Sequence, residues 1–301
     1  MLYLILSILL NAYLGVVFTY FKKYHIDSFQ AIVINYWVCV MTGSVVLGQF
    51  PISNALIEEP WFGWALLMGS LFVTIFTLIA ISTHHVGVTI TQTANKLSLA
   101  IPVLASYYLY NEPISLLKWA GIGLALVSVI LVSAPASGSP LIDDKCSNNR
   151  KPIWIWILPI ILFVGSGIID SLTAYVKTYF LHTTSDSNTY LICGFATAAS
   201  WGSIRMLYLL LTQKISFSIR NVWAGLILGI PNYFSIYFLI KALQNPNMNT
   251  TATIPINNIG ILLVVSIVGI MLFKEKLSVR NYLGLALSVL AILLIFVGDI
   301  I

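Results

Sequence analysis

Residues 1–20, MLYLILSILLNAYLGVVFTY, contain no charged side chain in twenty consecutive positions. An α-helix needs about 20 predominantly apolar residues to cross the hydrocarbon core of a bilayer, so this stretch predicts a membrane-spanning helix. It has no basic start and no small-residue cleavage site, and it continues directly into Lys22 and Lys23. We therefore expect a retained first span rather than a cleaved signal sequence.

The remainder of the chain has the same apolar character. Of its 301 residues, 59% are apolar and 8% are charged, and the mean hydropathy is +0.94. Soluble domains carry about 25% charged residues, so a water-soluble fold is excluded. The net charge of +5 comes from basic residues scattered over many loops, which form no dense patch for nucleic acid. The expected partners are the lipid bilayer and a small-molecule substrate; the oligomeric state stays open, a monomer included.

Cysteine usage and short motifs predict no cofactor. The three cysteines, Cys39, Cys146 and Cys193, are odd in number and have no CxxC spacing, which is typical of neither a disulfide framework nor a zinc site. The sequence also carries no nucleotide-binding motif, so we expect no ATP-driven step and no bound cofactor or metal.

Apolar runs between polar or helix-breaking residues predict ten transmembrane helices. Only one connection is long, residues 136–152, and it is rich in Ser, Pro, Asn and Asp. This polar linker divides the chain into residues 1–135 and residues 153–301, with five helices each. The predicted helices lie at roughly 2–21, 29–49, 61–82, 86–110, 115–134, 153–180, 188–212, 221–242, 249–273 and 278–298.

The two halves align with each other. An offset of 163 residues places NEPIS (111–115) on KEKLS (274–278). Besides four leucines, it matches four pairs of identical residues: Asn95 with Asn258, Glu112 with Glu275, Ser115 with Ser278, and Gly121 with Gly284. Two unrelated apolar hairpins are the alternative. Because each half has an odd number of helices, the second copy enters the membrane upside down. The predicted fold is an all-α integral membrane protein of two inverted five-helix repeats around a central cavity.

This organisation resembles the drug/metabolite transporter superfamily, EamA type. The resemblance covers the whole chain and rests on the five-plus-five order, on a Lys that closes the first helix of each half (Lys23 and Lys177), and on the Glu-x-x-Ser turn before each last helix. Members typically have Gly-Glu-(Arg/Lys)-Leu-Ser at these turns, and residues 111–115 depart from that pattern. The resemblance implies two EamA-like repeats forming a secondary carrier, not an enzyme. It also implies a multi-pass protein of the plasma membrane, which is the inner membrane in a bacterium.

Three charged residues, Lys96, Asp170 and Arg205, lie inside predicted spans, and Arg205 is close enough to its helix end to reach the membrane interface. A charge near the bilayer centre costs about 2.5–3.5 kcal/mol on insertion scales, so it needs a partner or a watery cavity. Lys96 shares one face of predicted helix 4 with His85, Thr89 and Gln92, and Asp170 shares one face of predicted helix 6 with Ser166, Thr173 and Lys177. We expect Asp170 to be the counter-charge of Lys96 across the cavity. The pair is either a gate or coupling element or a static ion pair.

Uncharged amides form a second group of candidate binding residues. Pro255 opens predicted helix 9 and removes a backbone donor, which a membrane tolerates where the freed carbonyl faces protein or water. Amides near it and on helix 4 could bind the ammonium and carboxylate of an amino-acid-like solute or organic anion. The alternative is interhelical hydrogen bonding, worth about 0.6 kcal/mol each in membranes. The candidates are Asn11, Asn35, Gln92, Asn95, Asn257 and Asn258.

Histidines and glutamates at predicted turns complete the candidates. His84 and His85 lie at the turn between predicted helices 3 and 4, where they sense protons or are simply solvated. Glu112 and Glu275 precede the last helix of each half, and we expect them to cap its free amide groups as structural residues.

Three functional classes are compatible with a multi-pass protein. A membrane-embedded enzyme would act on a lipid-linked or small polar substrate. Its only candidate catalytic residues are His84, His85 and Asp170, which lie at different predicted depths. A channel needs rings of charge or a carbonyl filter, which one Lys and one Asp do not make. A carrier working by alternating access, an exporter included, is therefore favoured, with the enzyme as the alternative.

Basic residues are asymmetric between the two predicted sides. The connections after predicted helices 1, 5, 7 and 9 hold ten of them, and the opposite side holds Lys118, Lys177 and Lys241. The positive-inside rule then puts both termini outside the cytoplasm, whereas the family resemblance puts them inside. The topology therefore stays open at this point.

Overall fold

The computed structural model of the chain describes residues 1–48, 50, 54–110, 114–133, 154–181, 183–243, 250–275 and 277–300. These residues form α-helices and one short 3-10 helix, Asn54–Glu58, with no strand among them. The α-helices are α1 (Leu2–Lys23), α2 (Ser28–Leu47), α3 (Phe62–Val86), α4 (Val88–Leu97), α5 (Ala100–Tyr110), α6 (Leu116–Ser133), α7 (Trp154–Tyr179), α8 (Thr184–Leu211), α9 (Ile219–Leu243), α10 (Thr250–Met271) and α11 (Val279–Ile300). The predicted linker, residues 136–152, lies outside the described residues.

Eight of these helices are long and apolar enough to cross a membrane. Their outward faces are apolar too: in α6, for example, Leu126, Val127 and Ile130 are 48%, 48% and 64% exposed. A helix that is apolar on its buried and its exposed side is stable only where lipid replaces water. The protein is therefore an all-helical, multi-pass membrane protein.

The predicted fourth helix, 86–110, is two helices in the structure, so the prediction of one unbroken helix was wrong. It begins only after Gly87, whose φ of +98° is a conformation that side-chain-bearing residues rarely adopt. It is then interrupted at Ser98 and Leu99, where the Ile101 amide donates to the Ser98 carbonyl instead of continuing the α-helical ladder. α4 and α5 are each too short to cross a membrane alone.

The helices of the two halves pack in a regular pattern. α2 packs on α9 and α3 on α8; α1 packs on α9 and α3 on α7; α1 packs on α10 and α4 on α7. The matching helices of the two halves are α1 and α7, α2 and α8, α3 and α9, α4 and α10, and α6 and α11. When each helix is replaced by its match, the first pairing of each of these three sets becomes the second. The pairs α2 with α8, α4 with α10 and α6 with α11 map onto themselves.

Glycines allow a close contact between α6 and α11. A Cβ on Gly121 would lie 2.9 Å from the Ala291 carbonyl, and a Cβ on Gly284 would lie 2.8 Å from the Val132 amide. These two glycines are mates in the 163-residue alignment. They occupy opposite ends of the same interface, as expected if the two helices run antiparallel.

One end of the bundle gathers side-chain hydrogen bonds between the halves. We call it the basic end because it carries Lys22, Lys23, Lys214, Arg220, Lys274 and Arg280. At this end Asn221 donates from Nδ2 to Gln30 Oε1 at 2.9 Å, and Asn281 donates from Nδ2 to the Val132 carbonyl at 2.7 Å. Both bonds join residues that are far apart in the chain.

Candidate functional site

A cavity of about 160 Å³ lies between the two halves of the bundle. Asp170, one of its lining residues, is 13 residues into the apolar span Ile157–Tyr179, or about 20 Å at 1.5 Å per residue. The cavity therefore lies near mid-span. Its lining residues come from α2, α3 and α4 of the first half and α7, α8 and α9 of the second: Tyr36, Phe72, Ile75, Phe76, Ile79, Asn95, Ser166, Ile169, Asp170, Phe195, Asn232 and Ile236.

Aromatic rings form one continuous wall of this cavity. The ring centroid of Tyr36 lies 5.9 Å from that of Phe76 and 5.9 Å from that of Phe195, and the Phe72 and Phe195 centroids are 5.8 Å apart. These separations lie in the range of favourable aromatic pairs. The wall joins α2, α3 and α8.

Asp170 carries the negative charge of the cavity lining. It is exposed to the cavity although it lies deep within α7. Ser98 Oγ lies 3.2 Å from Asp170 Oδ2 and 2.6 Å from the Asn95 carbonyl, so its single hydrogen is shared between two acceptors. Among the described residues no other group donates a hydrogen bond to Asp170. The carboxylate is therefore only partly satisfied by the protein.

Lys96 is the positively charged residue that interacts with Asp170. The two side chains are near enough for their charges to attract each other. No direct ion pair joins them in the described part of the chain, and Lys96 does not line the cavity. Lys96 lies in the last turn of α4, where a cation also interacts favourably with the helix dipole.

The interruption between α4 and α5 lies directly against α7. Ser98, in the interruption, contacts Asp170, and Ile101 in the first turn of α5 packs on Gly167, where an added Cβ would lie 2.6 Å from Ile101 Cβ. The position of the irregular backbone fits the rule that a membrane tolerates it only where it is buried in protein or lines a cavity.

Four amide side chains in and around the cavity lining form two hydrogen-bonded pairs. Asn95 lines the cavity, and its Nδ2 donates to Gln92 Oε1 at 3.4 Å. Gln92 is buried against α1, because a Cβ on Gly15 would lie 2.7 Å from Gln92 Nε2. Asn232 also lines the cavity, and its Nδ2 donates to Oδ1 of the fully buried Asn35 at 3.1 Å. Asn35 Nδ2 has no hydrogen-bond partner in the part of the chain that the structure describes.

The remaining predicted amides lie elsewhere. Asn11 Nδ2 donates within its own helix to the Ser7 carbonyl at 3.1 Å. Asn257 is buried with an unpaired Oδ1, and Asn258 is half-buried; both lie on α10, outside the cavity lining. The structure therefore does not bring Asn95 and its repeat mate Asn258 to one wall. Pro255 is buried inside α10, which continues through it.

The histidines belong to α3 rather than to a turn, so that part of the prediction was wrong. His84 Nε2 lies 2.8 Å from the Phe18 carbonyl of α1, and the His84 carbonyl accepts a hydrogen bond from Lys22 Nζ at 3.0 Å. The His85 ring packs edge-on against Trp154 with centroids 5.3 Å apart. His85 also leaves the polar stripe of α4, because Gly87 separates the two helices. Neither histidine contributes to the cavity lining.

Comparison with known proteins now adds to this geometry. The family model described as the EamA-like transporter family matches residues 1–134. Residues 1–134 are therefore similar to EamA-like transporters. An uncharacterized protein of Haemophilus influenzae is 26% identical over 301 residues, which is 98% of each chain. A solved crystal structure shares the fold with a TM-score of 0.59 at 14% identity, covering 97% of this chain and 95% of that one.

Glu275 links the second half to the EamA-like half, in a way the sequence did not predict. Its Oε1 accepts from the Val88 amide at 2.6 Å and its Oε2 from the Thr89 amide at 3.2 Å. It therefore caps α4, and the prediction that it caps the helix after its own turn was wrong. Burial of the carboxylate raises the pKa of Glu275, against the opposing effect of these hydrogen bonds. Its repeat mate Glu112 lies outside the described residues.

Sequence reasoning missed the aromatic wall and Ser98. Aromatic residues make up 13% of the chain, so four of them gave no signal above the background. Ser98 is flanked by Leu97 and Leu99, which read as a continuous apolar helix. Only the short NKLS segment, polar within an apolar run, pointed to an irregular region near Lys96.

Proposed function

We propose that this protein is a secondary carrier that moves a small metabolite across a membrane by alternating access. The observation that carries the proposal is the mid-span cavity, which both halves line and which contains an incompletely satisfied carboxylate. A membrane protein retains such a group where it serves a substrate or ion pathway. The EamA-like first half supports a transport role over an enzymatic one.

An inverted repeat with ten crossings is part of this proposal. The exchange of helix pairings between the halves supports it, because a pseudo-twofold axis produces that pattern. The positions of Gly121 and Gly284 at opposite ends of the α6–α11 interface support it as well. In this scheme α4 and α5 together form one crossing, interrupted at the cavity as in other carriers with discontinuous helices.

The basic end supplies the closed side in this proposal. A carrier opens to one side at a time, and the side that is shut needs contacts between its moving halves. At the basic end, Glu275 holds the Val88 and Thr89 amides, and Gln30 holds Asn221. These bonds are buried from water, so they contribute more than exposed ones would.

Lys96 and Asp170 are proposed as the coupling element, with a static ion pair as the competing hypothesis. Purified protein in liposomes would be supplied with labelled amino acids, amines, sugars and organic anions, with and without a proton gradient. We expect uptake of at least one solute, and its loss in Asp170→Asn and Lys96→Ala proteins. Glu59→Gln is the matched control, because this carboxylate is exposed and far from the cavity lining.

The outcomes separate the hypotheses. Undiminished transport in both variants would remove the coupling role, leaving at most a static pair. Absence of transport for every solute class, in protein that is monodisperse and folded, would argue against the carrier itself. A gain or loss of proton dependence in the variants would identify the coupling ion.

The proposal includes a location in the cell, and it leaves two membrane topologies to be distinguished by experiment. The protein is placed in the plasma membrane, which is the inner membrane in a bacterium. The positive-inside rule favours a cytoplasmic basic end and external termini, and the family resemblance favours the reverse. Reporter fusions to the C-terminus, with one enzyme active inside and one active outside the cytoplasm, decide between them.

A further inference from the structure

We propose that the cavity binds a small primary amine with an apolar, preferably aromatic, body. The ammonium binds the Asp170 carboxylate, and the body lies against the wall of Tyr36, Phe72, Phe76 and Phe195. This inference rests on the proposed carrier function, because the bound amine is then the transported solute. Binding is nevertheless measured separately from transport.

The charge of the lining decides the sign of the charge that the ligand carries. Asp170 is the one acidic or basic side chain in the lining, as far as the structure describes it, and Lys96 stays outside. An organic anion entering the cavity would meet a carboxylate in a medium of low dielectric constant, where like charges repel strongly. A cation would instead supply the opposite charge that the lining does not provide for this carboxylate.

The polar groups near Asp170 match an ammonium. Ser166, one helical turn away, lines the cavity and is 6% exposed, and among the described residues its buried Oγ has no hydrogen-bond partner. Asn95 offers an amide oxygen that accepts no hydrogen bond in the described structure, since its Nδ2 is the group used by Gln92. A primary ammonium has three donors and no acceptor, so it can serve Asp170, Ser166 and Asn95 together.

The aromatic wall favours the same class of ligand. Cations are attracted to the faces of aromatic rings within about 6 Å, and the interaction strengthens when both groups are desolvated. The wall also provides apolar area for a ring or branched alkyl group. Because the cavity measures about 160 Å³, a single ring with a short amine chain is near the size limit.

Lys96 competes with the ligand in this arrangement. Its ammonium attracts Asp170 without forming a direct ion pair, so a bound amine takes the carboxylate partly from Lys96. Removing the lysine charge should therefore strengthen amine binding, whereas removing the aspartate charge should abolish it. A merely structural ion pair predicts that the two substitutions act alike.

The test compares three probes of one shape on the full-length protein in detergent. The probes are 2-phenylethylamine, 2-phenylethanol and phenylacetate, measured by calorimetry on wild type, Asp170→Asn, Lys96→Met and the control Glu59→Gln. We expect the amine to bind wild type at least tenfold more tightly than the alcohol, which is about 1.4 kcal/mol, with the acid weakest. Asp170→Asn should erase that preference, Lys96→Met should increase amine affinity severalfold, and Glu59→Gln should match wild type.

Each other outcome overturns the inference. Equal binding of amine and alcohol removes the role of the charge, and preferred binding of phenylacetate reverses its sign. Tighter binding of phenylalanine than of 2-phenylethylamine would assign the site to a zwitterion instead. If Asp170→Asn does not fold, unchanged or weaker amine binding in Lys96→Met still refutes the proposal. Transport of a non-amine in liposomes, combined with no amine binding, would retain the carrier and reject this ligand.

Discussion

Gly87→Ala should be among the most destabilising single-methyl additions in this protein. Gly87 has φ +98° and ψ 161°, a backbone region that is almost exclusive to glycine and costs other residues about 1–3 kcal/mol. An added Cβ would also lie 2.6 Å from Glu275 Oε1. That carboxylate would have to move away from the Val88 amide and weaken a charge-assisted hydrogen bond, which is worth about 1.5–3 kcal/mol. The expected loss in free energy of unfolding is therefore about 3–6 kcal/mol.

The assay is unfolding of the purified protein in detergent, combined with hydrogen exchange at the start of α4. Gly123→Ala is the matched control, because a Cβ there meets nothing within 4 Å and Ala is the better helix former. We expect Gly123→Ala to be neutral or slightly stabilising, and Gly87→Ala to speed exchange at Val88 and Thr89. The double variant Gly87→Ala with Glu275→Ala should cost less than the sum of the single variants, because both remove the same contact. Wild-type stability and exchange in Gly87→Ala, or strict additivity in the double variant, would refute the reasoning.

Three further substitutions test other parts of the structure. Gly284→Val should destabilise by about 1–3 kcal/mol through overpacking against Val132, read as a lower Tm than that of Gly123→Ala. Burial raises the pKa of Glu275, so the folded protein holds that proton more tightly than the unfolded chain, whose Glu pKa is about 4.3. The stability of wild type should therefore fall as pH rises from that value through the raised pKa, and the slope of Tm against pH should flatten in Glu275→Gln. His84→Gln should leave any pH dependence of transport unchanged, because His84 bonds the Phe18 carbonyl away from the cavity; a displaced pH profile would instead make it a proton sensor.

Charge was the property of the site that the sequence revealed best. Lys96 and Asp170 stood out because so few ionised residues occur in the apolar spans, and the structure brings their charges within interaction range. The membrane-length helices could also be anticipated, since long apolar runs are local properties of the chain.

Tertiary contacts account for what the sequence did not reveal. Glu275 caps a helix 187 positions away, and no local pattern encodes such a partner. The two aligned asparagines were expected to bind substrate together, and they differ for another reason. Asn95 lines the cavity and Asn258 does not. In a carrier whose two halves adopt different conformations, repeat mates have no need to occupy equivalent places at the same time.

α4 connects the basic end of the bundle with the cavity. It has ten residues, so it is about 15 Å long at 1.5 Å per residue, and it lies between Gly87 and the interruption at Ser98. The second half holds both of its ends, through Glu275 at the amides of Val88 and Thr89 and through Asp170 at Ser98. Any movement of the halves against each other must therefore carry α4 with the second half or break one of these bonds. Either event displaces Asn95 and Lys96 relative to the cavity, so a change at the basic end cannot leave the environment of Asp170 unaltered.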